Sequence, residues 1–237
     1  MLLHGGLSTG SDWARHSELL ASNWHVIAPD SRGHGLSTNP GGDLRYSVMA
    51  DDMAALCGVL GIQHVAAWGH SDGGLVALQI AFRHPELLSA IILDGVPHRF
   101  DSRYFAALDG FFQGAGLGSD EEVDNMEFAA PDRVRRIRET LAPQSDHQWR
   151  DLIKQTRQLW TAPREFQIAD LASLGIPTLV LVGDRDPFVP LDEAIELMRL
   201  VSESELAVLP GSGHGDYDPV CAVTLVTDFL RRRRNPF

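Results

Sequence analysis

Gly69-His70-Ser71-Asp72-Gly73 follows the apolar run His64-Val65-Ala66-Ala67-Trp68 and precedes Gly74-Leu75-Val76-Ala77-Leu78. The order reads as strand, tight turn, helix. A G-x-S-x-G turn in that context holds a serine in a strained backbone conformation at the carboxyl end of a strand, and its small neighbours avoid a clash with the facing helix. Such a serine is presented as a nucleophile. The pentapeptide alone is weak evidence, because glycine and serine are common in loops, so the rest of the chain decides.

Around it, short apolar runs alternate with longer amphipathic stretches, the pattern of a parallel sheet covered by helices. The predicted strands are Met1 to Leu3, Val26 to Ala28, Val65 to Trp68, Ala90 to Leu93, Thr178 to Val182 and Leu206 to Leu209. The predicted helices are Asp12 to Ser22, Ser47 to Leu60, Gly74 to His84, Leu191 to Val201 and Pro219 to Arg234, with Ser47 as an N-cap and Gly61 just past a helix end. The alternation breaks between Pro97 and Gly175. That stretch carries no strand-like run but holds Phe100, Tyr104, Phe105, Phe111, Phe112, Phe128, Trp149, Trp160 and Phe166, and reads as a helical insertion. Gly110, Gly114, Gly116 and Gly118 loosen its first half, and Asp120 to Asp124 reads as a solvated helix start. Most of the aromatic residues are expected in core. Any that cover the sheet's edge exclude water and favour apolar substrate groups.

With 237 residues and 44% hydrophobic composition, the chain can bury one sizeable core. A net charge of −12 argues against a general affinity for nucleic acid or anionic membranes. The basic run Arg231 to Arg234 ends an apolar stretch, where cations complement a helix dipole and stay solvated. Cys57 and Cys221 belong to no metal-spaced pair and read as two buried free thiols, which suits a cytoplasmic protein. No apolar segment approaches the roughly 20 residues of a membrane span, and the first residues do not form a secretion signal.

A serine hydroxyl needs a base within hydrogen-bond reach, usually a histidine oriented by a buried carboxylate. Thr178 to Val182 runs into Gly183-Asp184-Arg185-Asp186-Pro187, which offers two carboxylates, and Leu206 to Leu209 runs into Pro210-Gly211-Ser212-Gly213-His214. Loops that follow parallel strands emerge at one edge, the edge that carries Ser71. Asp94 also ends a strand and is a third candidate acid. Negative charge developing on a carbonyl oxygen needs preorganised donors. The N–H of Asp72 is one, and His4-Gly5-Gly6-Leu7 supplies the other, Gly6 before Leu7.

At this point the chain resembles the α/β-hydrolase superfamily of serine hydrolases, over its length outside the insertion. His4-Gly5-Gly6 resembles the family's oxyanion loop, Asp30-Ser31-Arg32-Gly33-His34-Gly35-Leu36-Ser37 its D-x-R-G-x-G-x-S loop, and Gly69 to Gly73 its nucleophile elbow. Gly183 to Pro190 is similar to its acid loop and Gly213-His214 to its histidine loop. The resemblance implies a mostly parallel sheet flanked by helices. It gives a core of residues 1–97 and 176–237 and a helical cap at 98–175, inserted after the family's sixth strand. It also implies that the acid is Asp186, and that His4, His34 and His70 shape turns. Asp30 and Arg32 read as a structural pair or as loop anchors.

Ser71-Asp72-Gly73-Gly74 is also shared with valacyclovirase-type hydrolases, which raises a substrate-binding role for Asp72, beside Leu7, toward a cationic group. The plainer expectation is that the Asp72 side chain bonds local backbone. The family's two strands before the oxyanion loop are missing here, which leaves the Val26 to Ala28 strand as an apolar edge. Such an edge invites association. A longer natural N-terminus or a homodimer would cover it. The resulting expectation is a carboxylesterase-like enzyme in which Ser71, Asp186 and His214 act on a small ester with an apolar part, a lactone, thioester or amino-acid ester being close in chemistry. The reaction so read calls for no metal or cofactor. The alternatives are cleavage of a carbon–carbon bond in a diketone-type substrate and a non-catalytic ligand-binding protein of the same fold.

Overall fold

The structure is a computed structural model that describes residues 1–115, 119–129, 131–141, 143 and 148–234. Its sheet has five parallel strands in spatial order β1 (Leu2–Leu3), β2 (Val65–His70), β3 (Leu88–Asp94), β4 (Thr178–Gly183) and β5 (Ser204–Leu209). The interior strands are near-continuous apolar runs because helices cover both faces. All of β4 is buried, whereas the outer strand β5 is half-exposed over Ser204–Ala207.

On one face, α2 (Tyr46–Val59), α3 (Asp72–Arg83) and α8 (Leu191–Leu200) pack Met53, Ile80 and Leu197 into a core with Ile91 and Val180. On the other, α1 (Ala14–Leu20) and α9 (Pro219–Arg234) bring Leu20, Val226 and Phe229 against Trp68, Ile92 and Leu181. Phe229 is fully buried, so truncation to alanine costs about 3–5 kcal/mol through lost transfer energy and the cavity left behind. Between β3 and β4 the described residues form helices: α4 (Ser102–Ala115), α5 (Asp120–Ala129), α6 (Pro131–Leu141) and α7 (Gln148–Thr161). No helix among the described residues is long and apolar enough to cross a membrane.

Several expectations need correction. Val26 to Ala28 is not a strand. Leu2 N–H donates to Ile27 O at 2.8 Å, but β1 is only two residues long and offers too little edge for a repeating ladder. Ser47 is not an N-cap: α2 begins at Tyr46, and the carboxylate of Glu165 accepts the Tyr46 N–H at 2.8 Å and the Ser47 N–H at 3.2 Å. An acidic group from a distant segment thus satisfies the orphan amides and complements the helix dipole. Gly110 and Gly114 lie within α4 rather than loosening it, and Gly116 and Gly118 lie outside the described residues. Cys57 is buried but Cys221 is exposed, because it sits in the first turn of α9 on the side away from the sheet's core. Arg232 forks onto Glu205 of β5 at 2.8 Å, so the terminal basic run ties α9 to the sheet as well as ending it. Asp120 does begin α5, and Gly61, at φ 69°, follows α2.

Candidate active site

All five strands run the same way, so the loops after them open at one edge. Ser71 follows β2 with φ 51° and ψ −118°, a conformation rare for a side-chain-bearing residue. Strain of this kind costs about 1–3 kcal/mol and persists only where the surroundings over-determine it. Here a Cβ on Gly73 would stand 2.1 Å from Leu3 O and one on Gly69 2.2 Å from Gly73 O. The glycines therefore let β1, β2 and α3 close around the turn. Ser71 N–H donates to Asp94 O at 2.8 Å, and Ser71 O accepts from Gly74 N–H at 2.9 Å, which fixes the turn from both sides.

The two carboxylates after β4 have different partners. Asp186 is buried, accepts the N–H groups of Phe188 at 2.8 Å and Val189 at 3.0 Å with Oδ1, and meets His214 Nδ1 at 2.8 Å with Oδ2. Asp184 is exposed and accepts the Gly211 N–H at 2.6 Å, bracing the loop that carries His214. Asp94, the third candidate, takes the indole N–H of Trp68 at 3.1 Å and the hydroxyl of Tyr217 on Oδ2, and that oxygen lies 3.8 Å from His70 Nδ1. The structure thus brings His214 to Asp186 rather than to either alternative. Gly95 makes this approach feasible at φ 57°: a Cβ there would sit 3.1 Å from Asp186 Oδ2 and 3.2 Å from the His214 ring.

Ser71, His214, Gly6 and Asp72 line one cavity of about 320 Å3. Among the described residues no hydrogen bond joins Ser71 Oγ to His214. Such contacts are often loose in unliganded enzymes and tighten with substrate. The amide of Asp72, first in α3, has no partner inside its helix and carries the positive end of the helix dipole. Leu7, at φ 53°, is not part of the cavity wall and packs its half-buried side chain on the core.

The Asp72 side chain does not bond local backbone. Oδ1 accepts the Tyr46 hydroxyl at 2.9 Å and Oδ2 the Trp160 indole N–H at 2.7 Å, so donors from α2 and α7 converge on the residue after Ser71. Burial raises its pKa and outweighs these two hydrogen bonds, which act in the opposite direction. Trp160 also covers Gly6, where a Cβ would come within 2.4 Å of both the indole and the Asp72 carboxylate. The inserted helices are held at both ends: Glu193 of α8 accepts the His98 N–H at 3.1 Å and the Arg99 N–H at 2.9 Å, and Glu165 reaches α2 as described.

His4 and His34 are built into the loops. His4 Nε2 accepts the Ser31 N–H at 2.9 Å, which leaves Nδ1 to donate to Gly5 O at 2.7 Å. Burial lowers the pKa of both, that of His34 to about 3. Asp30 anchors its loop through the Gly10 and Leu36 N–H groups, each at 2.8 Å, whereas Arg32 forks onto Asp52 and does not pair with Asp30. His70 is in the cavity wall, its ring 4.7 Å from that of His214. Burial pulls it down, but Asp94, Asp186 and Asp72 more than reverse this and leave its pKa raised. Tyr46, Gly95, Trp160 and Tyr217 are site residues that the motifs did not single out. Only Gly95 carries a local signal, the Asp94-Gly95 pair at a strand end.

Comparison with known proteins bears on the family and the fold. A 2-hydroxymuconate semialdehyde hydrolase from a Pseudomonas species is 27% identical over 97% of this chain and 86% of its own. A putative carbamate hydrolase, RutD, of Rhizobium rhizogenes is 30% identical over 90% of this chain and 85% of its own. The solved structure of a thermophilic esterase from Thermogutta terrifontis superposes with a TM-score of 0.76 at 27% identity, covering 99% of this chain and 89% of that one. The model of the alpha/beta hydrolase fold family matches residues 1–219, and the chain belongs to that family.

Proposed function

We propose that this chain is a serine hydrolase that cleaves a carboxylic ester through an acyl-enzyme on Ser71. In this reading His214 takes the Ser71 proton and returns it to the leaving alcohol, and Asp186 holds the imidazole and stabilises its charged form. The backbone N–H groups of Gly6 and Asp72 receive the oxyanion. Water then attacks the acyl carbon with His214 again as base. The observation that carries the reading is the 2.8 Å contact between His214 Nδ1 and Asp186 Oδ2 at a cavity shared with the strained Ser71. Residues 98–175 act as a cap over it: Tyr104, Leu108, Phe111 and Trp160 form an apolar wall that suits the apolar part of an ester. A second reading, carbon–carbon cleavage by the same residues, draws on the similarity to a 2-hydroxymuconate semialdehyde hydrolase.

The test is labelling by a fluorophosphonate, followed by turnover of p-nitrophenyl esters of graded chain length. Stoichiometric labelling lost in Ser71→Ala, together with ester turnover, is the expected result. A folded protein that is neither labelled nor active on any ester overturns the reading.

A further inference from the structure

The charge of the cavity wall bears on which esters can enter, an inference that rests on the hydrolase reading. Asp12 and Asp72 are part of the wall, and no lysine or arginine lines it among the described residues. Two more carboxylates stand directly behind it: Asp94 is 3.8 Å from the His70 ring nitrogen and Asp186 is 2.8 Å from that of His214. The cations of the neighbouring helices are directed elsewhere. Lys154 reaches Asp124 at 2.7 Å, Arg103 reaches Asp192 at 2.8 Å, and Arg164 donates to the backbone oxygen of His98. In a partly desolvated cavity like charges repel strongly, and a ligand carboxylate entering it would lose its hydration and meet the imidazoles of His70 and His214, each already set against a carboxylate of the protein, Asp94 or Asp186.

Both oxygens of Asp72 already accept hydrogen bonds, from Tyr46 and Trp160, and Asp12 accepts one from Ser8. These are neutral donors that hold the carboxylates in place.

We propose that the cavity selects uncharged esters and rejects carboxylate-bearing ones, with Asp12 and Asp72 as the residues in the wall that set this preference. The substrate is then a neutral ester whose apolar group lies against Tyr104, Leu108 and Phe111 and whose other end faces Ser8 and Asp12.

The experiment compares the mono-p-nitrophenyl ester of suberic acid, whose free carboxylate is too remote to attack its own ester, with the same compound capped as its methyl ester, each rate corrected for spontaneous hydrolysis. The two differ mainly in charge. The capped ester is expected to show at least tenfold higher kcat/KM at neutral pH, and Asp12→Asn is expected to narrow that ratio. Binding of the same pair to Ser71→Ala by calorimetry gives a readout independent of turnover, with the capped compound binding more tightly. Equal rates for the two esters, preference for the free acid, or failure of Ser71→Ala to bind the capped compound overturns the proposal. Loss of labelling and turnover with charge-selective binding intact points instead to failure of the hydrolase reading.

Discussion

The indole N–H of Trp160 donates to Asp72 Oδ2 at 2.7 Å, which joins α7 to the residue directly after Ser71. The amide of that residue is a proposed oxyanion donor, so the position of a helix in the insertion and the geometry of the turn are mechanically linked. Trp160→Phe keeps the ring over Gly6 and removes only the donor. A buried carboxylate that loses a partner is destabilised by about 1–3 kcal/mol, and 1.4 kcal/mol corresponds to a tenfold change in rate. The expected result is a kcat lowered about tenfold with KM within about threefold of the parent, read by steady-state kinetics. An unchanged kcat would show that the turn does not depend on the bond.

Asp184 and Asp186 are neighbours in the same loop, yet only Asp186 contacts His214. Asp186→Asn should lower kcat by about 10⁴, the scale seen when an orienting carboxylate is replaced and the histidine tautomer is lost. Asp184→Asn should stay within about tenfold, because its hydrogen bond to Gly211 braces a loop without touching the ring. Kinetics on the two variants in parallel decide the assignment, and comparable losses would reject it.

The parts of the site that the chain announces are those imposed by local sterics. Gly69, Ser71 and Gly73 are legible because a tight strand-to-helix turn tolerates almost nothing else, and His214 and the pair Asp184 and Asp186 because they follow apolar strand runs by a few residues, whereas the choice of Asp186 rests on the family resemblance. The contacts of Asp72 are not legible. Tyr46 and Trp160 stand 26 and 88 positions away, and nothing in their own neighbourhoods says which carboxylate they will meet. The Val26 to Ala28 run shows a related limit: its composition fits a strand, but strand formation also needs a partner edge, and β1 supplies two residues. At Ser47 a good capping residue is displaced by Glu165, a better acceptor brought in by the insertion.

Gly95→Ala separates backbone geometry from chemistry. The residue sits at φ 57°, where a side chain costs roughly 1–2 kcal/mol. The added methyl group would also press on the Asp186 carboxylate and the His214 ring from 3.1 and 3.2 Å. The variant is expected to lose about that much stability in urea unfolding, and to lose activity beyond what a global destabilisation explains when assayed well below its melting temperature. Full activity in a destabilised protein would mean that the pair tolerates displacement.

Stability should fall on mild acidification, with a slope that can be assigned. His4, His16, His34 and His98 are buried, and burial holds all of them below the usual 6.5, His34 at about 3 and His98 at about 4. In the unfolded chain each takes up a proton as pH drops through about 6.5, while in the fold that uptake is postponed to lower pH. The unfolded state then binds more protons, so these groups contribute stability that is complete above about pH 6.5 and is lost as pH falls toward their folded values. Glu193 works in the opposite direction. Burial raises it from 4.5 to about 7, so between those values the folded protein keeps a proton that the unfolded chain has released. His34 and His98 less Glu193 leave a surplus of about one proton, equivalent to about 1.4 kcal/mol per pH unit, to which the lowered His4 and His16 add and from which the raised Asp72 subtracts. The urea midpoint should therefore drop between pH 6.5 and 5, and His34→Gln should flatten the slope by about one proton. A midpoint that is level or rises over this range would mean that the buried imidazoles are charged in the fold.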